Sequence, residues 1–284
     1  MIHNLITNKF ILGTAQFGKP YGISNNKKLS KKIILDILDI SKCNISELDT
    51  SEDYYINKSI KKKLNLFKVN TKVHMSFLNN SYDQLEKKLK KITKYHKINT
   101  LFIRDLENNF HSNKILRKLE FLRQKKIINK IGISVYDYKN VKNLYKKFKF
   151  DVIQIPCNIF DNRSDKFEFF FIKNKIEVHA RSIFLQGLAF SNEKLLNQRF
   201  KKYSRKILSL QELSKKKNFS LLNLCISHVF NKRYVSKVIF GVVDLNQLNL
   251  ILNFKDIRNT SFLKVFNTTN KGLIDPRKWL HKNN

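Results

Sequence analysis

Glycine, proline and tryptophan are scarce in this chain: seven, three and one among 284 residues. So few turn-formers exclude collagen-like and Pro/Gly-rich disordered classes. No Pro/Gly/Ser-rich stretch marks a boundary, so one domain is expected over 1–284, ending in a short C-terminal tail. Cysteine is scarce as well. Cys43, Cys157 and Cys225 are odd in number, far apart and never in a CxxC pair. That argues against a disulfide framework or any metal site and for a reducing, cytoplasmic setting. Long apolar runs are missing too. VSKVIFGVV, among the longest, is broken by charge well short of the 18 residues that mark a membrane helix. The opening MIHNLITNKFILG has no basic stretch followed by a long apolar one, so no signal peptide is expected.

Acidic residues are few: 22 against 56 Lys and Arg, a formal net charge of +34. Such an excess suits nucleic acid or an anionic membrane. The distribution speaks against both. Lysine is spread along every helix-like segment rather than packed into one arm, with its densest runs at 61–68 and 87–94. Solvated faces of surface helices account for it. The 42% of apolar residues is enough to fill a core.

Short β-branched runs alternate with longer amphipathic, lysine-rich segments. The strand candidates are 10–15, 46–50, 68–75, 99–105, 130–135, 151–156, 176–183 and 237–242. Helix-period segments lie at 29–41, 82–95, 113–126 and 140–148, with longer ones at 192–217 and 220–231. Eight strands alternating with helices predict an α/β chain folded as a (β/α)8 TIM barrel. A doubly wound sheet is the rival, but no G-x-G-x-x-G follows any strand.

A barrel gathers its chemistry where strands end. Those ends read Gly13-Thr14, Asp49, Lys72 with His74, Arg104-Asp105, Ser134, Gln154, Arg181-Ser182 and Gly241. Asp49 is followed by Tyr54 and Tyr55. An Asp, a Tyr and a Lys on one rim suit proton donation by a phenol, because an ammonium lowers the phenol's pKa and a carboxylate orients the ammonium.

LGTAQFG (12–18), LDTSEDYY (48–55), NTKV (70–73), NKIGISV (129–135), DVIQIPCNIFD (151–161), RSIFLQGL (181–188) and VIFGVVDLNQL (238–248) together resemble the aldo-keto reductases, collinearly and over nearly the whole chain. The resemblance implies a barrel that reduces a small-molecule aldehyde or ketone with NADP or NAD. It makes Asp49 and Lys72 members of the catalytic set and Tyr54 the proton donor, with Tyr55 standing where the family usually has glycine. The family's histidine is replaced by Arg104, which donates hydrogen bonds in a fixed fork but cannot lose its proton. Arg104 then either holds the carbonyl or a nearby anion, or marks a catalytically silent barrel that binds a nucleotide or a partner. His74 is a second donor candidate or an ordinary rim residue.

The same resemblance assigns cofactor contacts to Gly13, Thr14, Ser134, Gln154, Ser182, Phe184, Gly187, Gly241 and Gln247, with Arg181 replacing an aromatic that stacks on nicotinamide. Asp244 stands where a basic residue would favour NADP, and Ile251 where an asparagine often meets adenine, so the choice between NADP and NAD stays open. The closest likeness is to a bacterial branch found with surface-polysaccharide genes, which suggests a sugar-linked or anionic substrate.

Overall fold

The computed structural model describes residues 8–23, 28–51, 54, 58–93, 97–104, 106 and 113–279. Eight parallel strands close in sequence order into a barrel, with β8 pairing back to β1. They are β1 (Phe10–Gly13), β2 (Glu47–Asp49), β3 (Lys68–His74), β4 (Ile98–Arg104), β5 (Ile128–Ser134), β6 (Val152–Pro156), β7 (Glu177–Arg181) and β8 (Lys237–Phe240). The eight expected runs coincide with these strands in order. Most expected strands run on past the observed end, because a polar rim residue is also where the backbone turns away. Ser182, inside the expected seventh strand, has φ of +58° and ends β7 there.

The helices form where an apolar stripe meets a cap. Helix Lys31–Ser41 starts at Ser30, whose hydroxyl accepts from the Ile33 amide, and it buries Ile34, Ile37 and Leu38 on the barrel. The segment 192–217, expected as one helix, is two. Glu193–Arg199 and Lys201–Lys216 are separated at Phe200, which leaves helical geometry to bury its ring.

Two apolar clusters hold the molecule together. One lies between the barrel and its surrounding helices. The other joins the loop after β7, the helices of 193–230 and the segment 261–274, with Trp279 packed against it. Inside the barrel the strand starts are polar. Glu47 pairs with Lys237 at 2.9 Å and accepts from Asn70 at 2.9 Å, while Glu177 pairs with Lys130 and with His179 at 2.8 Å. Above them Phe102 fills the interior, and Gly132 is the residue that lets it. A Cβ at Gly132 would stand 2.6 Å from the Phe102 ring. No helix among the described residues is long and apolar enough to cross a membrane.

Two groups in this fold tie stability to pH. Burial lowers the imidazole of His228 to about 3, and it meets Asn162 Oδ1 at 2.7 Å. Burial would raise Glu177, but His179 and Lys130 outweigh it and hold the carboxyl at about 2. A depressed histidine is neutral in the fold and protonated in the unfolded chain. Its contribution is therefore complete above about pH 6.5 and is lost as pH falls toward 3. Glu177 adds a second loss between about pH 4.5 and 2. The urea midpoint should fall from pH 6.5 to 5, with about 2 kcal/mol of that loss from His228. His228→Gln, which keeps a donor toward Asn162, should flatten this limb. An identical slope in wild type and variant would show that His228 does not cause it.

Candidate active site

At the C-terminal end of the barrel, Asp49 and Lys72 form an ion pair that is almost entirely buried, at 5% and 6% exposure. The other carboxylate oxygen accepts from Gln154 Nε2 at 2.8 Å, across the barrel from β6. Thr14 fixes the end of β2 by donating both its amide (2.9 Å) and its hydroxyl (3.1 Å) to the Asp49 carbonyl. The strand end after it is held by Ser51, whose hydroxyl reaches the Lys72 carbonyl at 3.3 Å. Asp49 is thus oriented by backbone, by an ammonium and by an amide at once.

Tyr54 lies beside this pair, its ring centroid 6.0 Å from Lys72 Nζ. Tyr55 lies outside the described residues, as do Asp105 and residues 280–284 of the tail. The expected lowering of the Tyr54 phenol is reversed. Burial, and then the Asp49 carboxylate, hold it well above its usual value, with Arg181 opposing them. The physical reason is that Lys72 is committed to Asp49. Lys72 itself is lowered by burial, which Asp49 opposes and Arg181 and Arg104 reinforce. The phenol therefore stays protonated at neutral pH, a proton store rather than a ready-made tyrosinate.

The other expected residues separate into two groups. Arg104 ends β4 in register with Ser134 of β5, and Ser134 with Gln154 of β6, which sets a row of polar side chains around the mouth. Arg181 ends β7 with its guanidinium 3.9 Å from the Tyr136 ring centroid. By contrast, His74 is exposed and caps the turn Met75–Asn79, accepting from the Ser76 amide. Gln247 is engaged locally as well: its amide donates to Asp244 and its side chain accepts from Val243. Ile251 is buried in the main core, away from any exposed ligand.

The loop after β7 is strained. Ser182, Leu185 and Gln186 all have positive φ (+58°, +47° and +55°), followed by Gly187 at +88°. Such backbone persists where surroundings over-determine it, commonly around a ligand. Here Gln186 accepts from the Ile23 amide at 3.0 Å, Ser182 receives Asn158 at 3.2 Å, and Phe184 stacks edge-on with Phe190. Near β1, Gly13 and Gly241 are small of necessity. A Cβ at Gly241 would lie 2.3 Å from the Gln16 amide, and one at Gly13 would lie 3.1 Å from the Phe240 carbonyl.

Two buried acceptors among the described residues lack a partner: Gln154 Oε1 and Gln16 Oε1. Gln154 cannot simply flip, because its amine is held by the Asp49 carboxylate. A buried unmatched carbonyl is costly, and a carboxamide N–H is a group that would satisfy it. The residues at this mouth therefore fit a nicotinamide. Sequence reasoning did not single out Gln16, Tyr21, Tyr136 or Arg277. The first two sit in the AQFGKPYG stretch of the opening motif and Tyr136 follows ISV, but nothing local announces Arg277.

The aldo/keto reductase family model matches residues 9–261. The chain belongs to this family. Its members are oxidoreductases that act on carbonyl substrates and generally use NAD(P)H. Among solved structures, the fold is similar to that of a glycerol dehydrogenase from Gluconobacter oxydans (16% identity, 90% of this chain and 89% of that one, TM-score 0.67). It is also similar to an aldo-keto reductase from Bacillus halodurans in its holo form (18% identity, 82% and 83%, TM-score 0.64). Comparison with curated protein sequences gives no match.

The ion pair of this aldo/keto reductase makes its own prediction. Lys72→Met leaves a buried carboxylate with only the Gln154 amide and should cost roughly 3–5 kcal/mol. Asp49→Asn combined with Lys72→Met should cost less than the sum of the single changes. Urea unfolding of the four proteins checks this; strict additivity would mean that the pair is not coupled.

Proposed function

We propose that the protein is a nicotinamide-dependent reductase of aldehydes or ketones, with Tyr54 as the proton donor and Asp49 and Lys72 orienting the site. The observation that carries this reading is the buried Asp49–Lys72 pair beside Tyr54, bridged to Gln154, whose own carbonyl is left without a partner. A bound dihydronicotinamide would supply the hydride. Gln154 and Ser134 would hold its carboxamide, and Arg181 would lie against its ring.

The protein's own part is positioning and proton supply. The Tyr54 hydroxyl stays protonated because burial disfavours its anion, so the proton is delivered only to an oxygen on which negative charge is developing. The Lys72 ammonium supplies positive charge beside that oxygen and Asp49 keeps it in place. Arg104 stands at the next strand end with donors in a fixed fork, suited to the same oxygen.

We further read the cofactor as NADH rather than NADPH. Helix Leu245–Leu252 is capped by Asp244, whose carboxylate accepts from the Gln247 amide at 2.7 Å. A carboxylate there repels a ribose 2′-phosphate and suits a free 2′-hydroxyl.

Tyr54→Phe should reduce carbonyl turnover by about 10²–10⁴-fold while leaving NADH affinity within about threefold. Fluorescence titration and steady-state rates on a panel of aldehydes check both. NADH binding with no turnover of any aldehyde by the wild type would favour the silent barrel. In the same titration NADH should bind more tightly than NADPH, and Asp244→Ser should narrow the gap; a wild type preferring NADPH would overturn the cofactor reading.

A further inference from the structure

We propose that Arg181 and Arg277 form a two-guanidinium jaw on Tyr136 that selects carbonyl substrates bearing an anionic group, a carboxylate or a phosphate. This names a substrate class for the reductase proposed above and rests on that reading.

The jaw is assembled from distant parts of the chain. Arg181 ends β7 and Tyr136 follows β5, whereas Arg277 lies in the turn Pro276–Lys278 of the C-terminal segment. That segment is docked by Leu273 and Ile274 in the second apolar cluster and by Trp279, whose indole donates to the Gly272 carbonyl at 3.0 Å. The guanidinium carbons of Arg181 and Arg277 lie 3.9 and 3.8 Å from the same ring centroid. Arg277 is oriented by Asp275 through two parallel bonds, Nε to Oδ1 at 2.9 Å and Nη2 to Oδ2 at 2.7 Å. Arg181 donates only to neutral acceptors, the Val135 carbonyl at 3.1 Å and the Ser182 hydroxyl at 3.3 Å. Among the described residues no carboxylate pairs with it.

Two guanidiniums on one ring repel each other, and a half-buried cation with neutral partners has lost solvation that only an anion restores. The surroundings add to the excess. Lys72 feels the charges of Arg181 and Arg104, and its paired carboxylate is Asp49 alone. A carboxylate or phosphate on the substrate meets forked donors that bind it in two places at once, which also fixes where the rest of the molecule points.

Calorimetric titration with benzoate, phenyl phosphate and benzamide tests this without any turnover. The wild type should bind at least one of the two anions at least about tenfold more tightly than benzamide. Benzoate alone would identify a carboxylate substrate, phenyl phosphate alone a phosphate ester, and both a general anion jaw. Arg277→Gln should abolish the preference and Arg277→Lys should keep part of it. Benzamide binding as tightly as both anions overturns the proposal, whatever the variants do. So does an anion preference that survives Arg277→Gln.

The matching kinetic comparison uses 4-carboxybenzaldehyde and 4-methylbenzaldehyde. The acid should be preferred in kcat/KM, and Arg277→Gln should remove that preference mainly through KM. Selective anion binding with no reduction of any aldehyde would sink the reductase reading while the jaw stands. Reduction of aldehydes with no anion preference would do the reverse.

Discussion

The mouth of the barrel is organised around one buried ion pair. Asp49 and Lys72 lie on neighbouring strands, and without each other each would be a solitary charge in a site from which water is largely excluded. Gln154 extends the pair across the barrel, and its bond to Asp49 spans 105 residues of sequence. That one contact fixes the spacing between β2 and β6 at the level where Tyr54 sits. It also dictates which way the Gln154 amide faces, and so leaves an acceptor turned toward the mouth.

Polarity inside the barrel is layered. Ion pairs among Glu47, Lys237, Lys130 and Glu177 occupy the strand starts, Phe102 seals the middle, and Asp49 and Lys72 begin the functional end. The separation matters electrostatically. The lower pairs balance locally, whereas the upper end gathers Lys72, Arg104 and Arg181 around a single carboxylate among the described residues. A site built this way responds to negative charge on a ligand far more than to its apolar bulk.

The strands were legible because parallel barrel strands are apolar throughout their bodies and polar at their ends, a pattern that needs no partner to be read. Asp49, Lys72 and Gln154 were legible for the same reason: each closes a strand. The break at Phe200 was not, since the period of apolar residues continues through it and only the pull of the second cluster on its ring decides the matter. The behaviour of Tyr54 was misjudged because sequence shows which charges are near but not which are already engaged. Tyr136 and Arg277 were invisible as a pair, one in a loop and the other brought back by tertiary packing.

The docking of the C-terminal segment has a temporal consequence. Chains emerge from the ribosome N-terminus first, and β1 to β8 precede Arg277. The barrel, its ion pair and Tyr54 can therefore assemble while the rim still lacks one of its cations. Completion waits for Leu273, Ile274 and Trp279 to seat on their apolar cluster. The same seam sets how the mature protein loosens: the segment can peel away as a local opening that removes Arg277 and leaves the closed sheet intact. Chemistry and selectivity are thus lodged in parts of the molecule that form, and come undone, at different times.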